Sequence, residues 1–115
     1  MSRSDSERLQ DILDAIAHAR VADERLRLAD VGGDEPGVRI AFQAILHNLF
    51  VIGEAVKALS PEILEAAPDV PWNQIAATRD VIGHQYHRIV PGLIHRTVRE
   101  DLPPLERSVR ALMAP

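Results

Sequence analysis

Apolar residues near the start of the chain recur every three or four positions: Leu9, Ile12, Leu13, Ile16 and Ala19. That period puts them on one helical face. It predicts a helix from Ser4 or Asp5 to about Leu28, with Asp5 or Ser6 as its cap and acids in its first turn. Beyond Val21 good helix formers continue but the stripe weakens, so the second half is expected to be exposed and to fray. Gly32-Gly33 and Pro36-Gly37 read as a loop. A second helix is predicted from about Val38 to Leu59. There Phe42, Ile45, Leu49, Ile52, Val56 and Leu59 repeat, and Ala41, Leu46, Phe50 and Val51 widen the stripe. Its polar residues Gln43, His47, Glu54 and Lys57 keep to a narrow strip. A helix this apolar belongs at the centre of a bundle or in a subunit interface.

Ser60-Pro61-Glu62-Ile63 reads as an N-cap followed by proline at the first helical position, opening a short turn that stops before Pro68. Asp69-Val70-Pro71-Trp72 is an extended connector. The next helix runs from Trp72 to about Gly83, with Trp72, Ile75, Ala76 and Ile82 on its apolar side and Gly83 as its C-terminal interruption. A last helical stretch begins near Ile89. Val90, Leu93, Ile94, Thr97, Val98, Leu102, Leu105, Val109 and Leu112 keep phase there across Pro103-Pro104, which implies a kink, or a restart capped by Asp101. The sum is a single all-α domain over residues 1–115, an up-and-down bundle of four to five helices.

Composition narrows the chemistry. The 115 residues contain no cysteine, which removes disulfides, thiolate zinc sites and cysteine nucleophiles. The start, Met1-Ser-Arg-Ser-Asp-Ser-Glu7, has acids and no apolar run, and the uncharged stretch Ile40 to Gly53 includes Gln43, His47 and Asn48. A cytoplasmic location without membrane insertion is therefore expected. Formal net charge is −4, but it is unevenly spread. Residues 1–78 hold 7 Arg or Lys against 13 Asp or Glu, whereas residues 79–99 hold Arg79, Arg88, Arg96 and Arg99 against Asp80 alone. His84, His87 and His95 fall in the same basic stretch, which is either a solvated face or a patch that permits an anionic ligand without naming one.

Arg79-Asp-Val-Ile-Gly-His84-Gln-Tyr86 gathers a permanent cation, a titratable imidazole and a phenol within eight residues. Metal-independent RNA cleavage needs a base for the ribose 2′-OH and a cation for the charge that builds on phosphorus oxygens. Histidine and arginine supply these, and Asp80, four residues before His84, could orient the imidazole. At about 100° per residue, Arg79 and Tyr86 share a helical face while His84 points about 140° from Arg79. Either the helix opens at Gly83, or a second subunit completes the site. His84-x-x-His87 is a weak metal pair with no third ligand at a diagnostic spacing, so neither a metal nor a cofactor is expected.

The string Arg79-x-x-x-x-His84-x-Tyr86 resembles the signature of HEPN-domain toxins of the HepT type, which pair with a minimal nucleotidyltransferase antitoxin. Arg8-Leu-Gln-Asp-Ile-Leu13, Asn48-Leu-Phe-Val-Ile-Gly-Glu-Ala55, Leu59-Ser-Pro61, Val70-Pro-Trp72 and Asp101-Leu-Pro103 extend the likeness over about residues 8 to 112. Departures are His47, where arginine is common, a short segment from Val31 to Gly37, and Gly83, where a larger apolar residue is frequent. The resemblance implies a HEPN-like homodimer whose two signatures form one composite cleft, with Arg79 and His84 as the ribonuclease pair. It also implies that Tyr86 accepts AMP from the nucleotidyltransferase partner, which neutralises the toxin. Asp80, Asn48 and Glu54 would support the cleft, and Arg88, Arg96 and Arg99 would hold RNA. The rival expectation is a non-catalytic subunit that presents nucleotides or substrates to a nucleotidyltransferase.

Overall fold

The computed structural model describes residues 3–85, 88 and 91–115; Tyr86, and with it the AMP-acceptor assignment, lies outside the described residues. Among the described residues the chain is all-α, with no strand: α1 (Arg3–Gly32), α2 (Glu35–Ala58), α3 (Pro61–Ala66), α4 (Trp72–Gln85), α5 (Pro91–Arg96) and α6 (Leu102–Met113). A π-helical turn, Thr97–Asp101, joins α5 to α6 without a break. The all-α bundle expected from the sequence is what forms, in five continuous helical stretches.

The α1 stripe is the core: Leu9, Ile12, Ile16 and Ala19 are fully buried. α1 does not end near Leu28 but continues through 30 residues, about 45 Å at 1.5 Å per residue, which matches the 46 Å long axis of the molecule. Its second half, where Ala22, Asp23 and Leu26 are buried, stays helical because it pairs with α2 across a very short connection. Gly33 adopts φ +72°, a left-handed conformation that glycine takes at little steric cost. Its N–H donates to Asp30 O (3.2 Å) and that of Asp34 donates to Ala29 O (2.9 Å), closing the end of α1. Asp34 then caps α2 by accepting the Gly37 N–H at 3.2 Å, with Pro36 in the first turn. The predicted loop to Gly37 is thereby reduced to a tight corner, and α2 begins at Glu35 instead of Val38.

α2 lies between α1 and α4 and buries Ile45, Leu46, Leu49, Ile52 and Val56. By length and composition alone it could cross a membrane, but here its apolarity is spent on the bundle interior. At the other end of the hairpin, Asp5 is buried within the first turn of α1. It accepts the Ser60 N–H (3.0 Å) and hydroxyl (2.7 Å), so Ser60 makes no side-chain cap for α3 and instead ties the α2–α3 corner to α1.

Two further expectations are corrected. α4 does not stop at Gly83 but runs through it to Gln85; Gly83 has no need of positive φ there, so its presence does not terminate the helix. Asp101 makes no side-chain cap. The prolines are accommodated by the π-turn, in which the Leu102 N–H reaches back to Thr97 O, because Pro103 and Pro104 have no N–H to continue the regular ladder.

Candidate functional site

α4 is fixed at its start by Trp72, which is buried and donates its indole N–H to Ala67 O at 3.0 Å. Ile82 is buried near its other end, with Ile75 and Ala76 half-buried between them. At Gly53, α2 packs tightly against Arg79 of α4. A Cβ placed on Gly53 would lie 2.6 Å from Arg79 Cβ and 3.2 Å from its backbone nitrogen. Only glycine admits that contact, so Gly53 sets where the Arg79 backbone sits.

From that position the Arg79 side chain, 34% exposed, enters a network of alternating charge. Its Nε–H donates to Glu54 Oε1 in a short hydrogen bond, and Nη1 donates to Asp80 Oδ1 at 3.1 Å. Lys57 Nζ donates to the same Asp80 oxygen at 3.0 Å. The guanidinium carbon stands 5.0 Å from the centroid of the Phe50 ring, within cation–π range. The hydrogen bonds of Asp80 and Glu54 raise the Arg79 pKa above its already high value. Lys57, then Arg79, hold the Asp80 carboxyl below the ordinary carboxylate range. Two basic and two acidic side chains thus interlock, and their formal charges sum to zero. Two of the five guanidinium N–H donors are committed to carboxylates, and Nη2 has no partner among the described residues, so that edge is left to face an anion.

His84 is exposed on the last turn of α4. Because the helix is continuous from Arg79 to Gln85, the two side chains diverge by about 140°; the opening at Gly83 does not occur. No hydrogen bond joins Asp80 to His84 among the described residues; Lys57 and Arg79 both bond to Asp80 Oδ1. Asn48 stands apart: its Nδ2 donates to Ala44 O of its own helix at 2.8 Å. With His47, His18 and Arg25 it lines a separate shallow groove between α1 and α2.

The basic stretch is largely neutralised by folding. Arg96 pairs with Glu100 at 3.1 Å. Arg99 donates to Asp23 Oδ2 at 3.3 Å and lies 3.9 Å from Glu24. The buried Asp23 carboxylate also takes His95 Nδ1 at 2.7 Å. Arg88 is exposed and is the one arginine of residues 79–99 with no carboxylate partner among the described residues. No group of three His, Asp or Glu side chains converges as a metal site among the described residues.

Of the candidate supporting residues, Glu54 and Asp80 lie against Arg79 and Asn48 does not; Gly53, Phe50 and Lys57 were not singled out as site residues by the sequence. The spacing of Phe50, Glu54 and Lys57 at i, i+4 and i+7 marks one polar-edged face of α2. No signal in the sequence says that this face meets Arg79.

Fold and site together define an all-helical domain that presents a carboxylate-held arginine and an exposed histidine on one helix. The family model described as "Ribonuclease HepT-like" matches residues 32–112, and the chain belongs to that HepT-like family. It is 30% identical over 112 residues, 97% of its length and 98% of the relative's, to a "Probable ribonuclease HepT" of Thermococcus cleftensis. It is 37% identical over 71 residues to the candidate RNase TTE0752 of Caldanaerobacter subterraneus, covering 62% of this chain and 63% of the relative. A candidate RNase of Methanocaldococcus jannaschii, MJ1380, is 32% identical over 66 residues, 57% of this chain and 61% of the relative. No solved structure matches the chain.

Proposed function

We propose that this protein is a cytoplasmic endoribonuclease toxin that cleaves RNA without a metal ion, using Arg79 and His84. The observation that carries the reading is the fixed Arg79 guanidinium. Glu54 and Asp80 hold one side of it, and an exposed imidazole lies five residues on along the same unbroken helix. The names of the relatives, ribonuclease HepT and RNase, support the same activity.

In this mechanism neutral His84 takes the proton of the ribose 2′-OH. The 2′ oxygen attacks the adjacent phosphorus, and the bond to the 5′ oxygen breaks, giving a cyclic phosphate and a 5′-hydroxyl. Imidazolium returns a proton to the departing oxygen. Arg79 stabilises the charge that accumulates on the phosphoryl oxygens, through the Nη2 edge left outside the carboxylate network. Because Arg79 and His84 of one chain diverge on a continuous helix, the productive pair is completed by a second copy in a homodimer. Tyr86 is the AMP acceptor for a nucleotidyltransferase antitoxin; a bulky phosphodiester two residues from His84 would block the cleft.

The test is RNA cleavage in excess chelator by the wild-type chain, Arg79→Ala and His84→Ala. Cleavage is expected in the first and at least a 100-fold loss in the variants, about the share that acid–base groups supply, with RNA association still measurable. Undiminished cleavage by both variants would overturn the assignment. Mass spectrometry of the chain co-expressed with a nucleotidyltransferase partner, alongside Tyr86→Phe, tests the modification separately.

A further inference from the structure

Beside α4, on the side of Thr78 and Ile75, a cleft of about 590 Å³ opens toward the π-turn and α6. Its depth is apolar: Leu49 and Ile52 of α2 and Leu102 and Leu105 of α6 line it and are buried. Its charged lining has one sign. Asp69, Glu100 and Asp101 face the cleft, and no lysine, arginine or histidine lines it. Glu100 pairs only with the exposed Arg96 one turn away, and Asp69 and Asp101 have no cationic partner among the described residues.

Three carboxylates with no counter-charge in the lining thus border an apolar cleft. The complementary ligand has an apolar body and adjacent cationic N–H donors. A polyanion is repelled, so this cleft is not an RNA groove.

We propose that the cleft docks a segment of a partner polypeptide in which a bulky apolar side chain stands next to lysine or arginine. The volume suits a few side chains, with the apolar one seated over Leu49 and Leu105 and the cation against Asp101 and Glu100. The site is independent of the ribonuclease reading, but Thr78 in its wall directly precedes Arg79, so an occupant would brace the helix that carries it.

The test uses the full chain and a fluorescein-labelled leucine/lysine peptide, with a leucine/glutamate peptide as its opposite-charge counterpart, followed by anisotropy. Saturable binding of the lysine peptide alone is expected, weakened by salt. A loss of about tenfold or more in affinity is expected for the double variant Glu100→Lys, Asp101→Lys. Ser108→Trp, which fills the cleft from α6, is expected to weaken binding similarly. Should that variant unfold, Glu100→Gln with Asp101→Asn removes charge without bulk and is expected to weaken binding too. Equal binding of the glutamate peptide, no binding of either, or full affinity in the charge variants would overturn the proposal. So would self-association, seen by sedimentation, that Glu100→Lys with Asp101→Lys abolishes, because a second copy would then be the occupant.

Discussion

Gly53 and Gly83 are both helical glycines, yet their replacement by alanine should move stability in opposite directions. At Gly53 the new Cβ would lie 2.6 Å from Arg79 Cβ and 3.3 Å from Arg79 Cα, against a comfortable carbon–carbon separation of about 3.5–4.0 Å. Neither atom is the far end of a flexible side chain, so α4 must retreat. Overpacking of this kind costs about 1–3 kcal/mol, while exchanging glycine for alanine within a helix returns about 1 kcal/mol. The net expectation for Gly53→Ala is a loss of up to about 2 kcal/mol. At Gly83 a Cβ meets nothing within 4 Å, so only the propensity gain remains, up to about 1 kcal/mol and smaller because the helix is ending. The difference between the two variants, about 1–3 kcal/mol, isolates the steric contact because the propensity cancels. At about 4 °C per kcal/mol for a chain of this size, thermal melts followed by circular dichroism would resolve it, run at equal protein concentration since assembly shifts apparent stability. Equal shifts of the same sign in the two variants would refute both the close approach at Arg79 and the continuity of α4 through Gly83.

Other perturbations read other parts of the structure. Glu54→Gln removes a carboxylate bound to the Arg79 Nε–H. RNA association in filter binding should therefore tighten, because a negative charge beside the phosphate is lost, while cleavage falls about tenfold or more as the guanidinium loses its fixed position. Asp23→Ala deletes the buried acceptor shared by His95 and Arg99 and should cost about 1.5–3 kcal/mol in urea unfolding. Glu106 joins α6 to α1 through Arg20 at 2.7 Å, and Arg20, then Arg110, hold its carboxyl below the usual range. Its contribution, about 1 kcal/mol or less for so exposed a pair, is complete above the unfolded carboxyl value and is lost as pH falls through the lower folded one. Glu106→Gln should accordingly be less stable than wild type at neutral pH, and the two should converge as pH falls through the lowered folded-state value of Glu106.

The helices were legible wherever one face alternates with the rest. Leu9, Ile12, Ile16 and Ala19 predicted α1 because burial follows their period, and the stripe of α2 left the bundle centre and a subunit interface both open, of which the fold shows the first. Boundaries were less legible where two rules compete. Gly83 followed by polar residues has the composition of a helix end, but nothing there requires left-handed backbone, so packing of Ile82 keeps α4 going. Gly33 does adopt that conformation, and there the glycine rule worked. The site was half legible. Arg79, His84, Asp80 and Glu54 stand out by residue type, whereas the role of Gly53 depends on a helix 26 positions away and leaves no local mark. The basic stretch misled for a related reason. Arg99 finds its counter-charge in Asp23, 76 residues distant, and linear charge counting cannot anticipate a partner brought in by folding. The run-in of α1 past Leu28 reflects tertiary pairing with α2 overriding a weak stripe.

Central to the functional account is a cleavage centre assembled from Arg79 of one chain and His84 of another. Mixing Arg79→Ala and His84→Ala chains after separate purification, with subunit exchange, tests it by complementation. Each variant alone should be inactive, and the mixture should regain about a quarter of wild-type cleavage, since half the dimers are mixed and each restores one of two equivalent sites. A mixture that stays as inactive as its components, with exchange verified by mass spectrometry, would contradict the account.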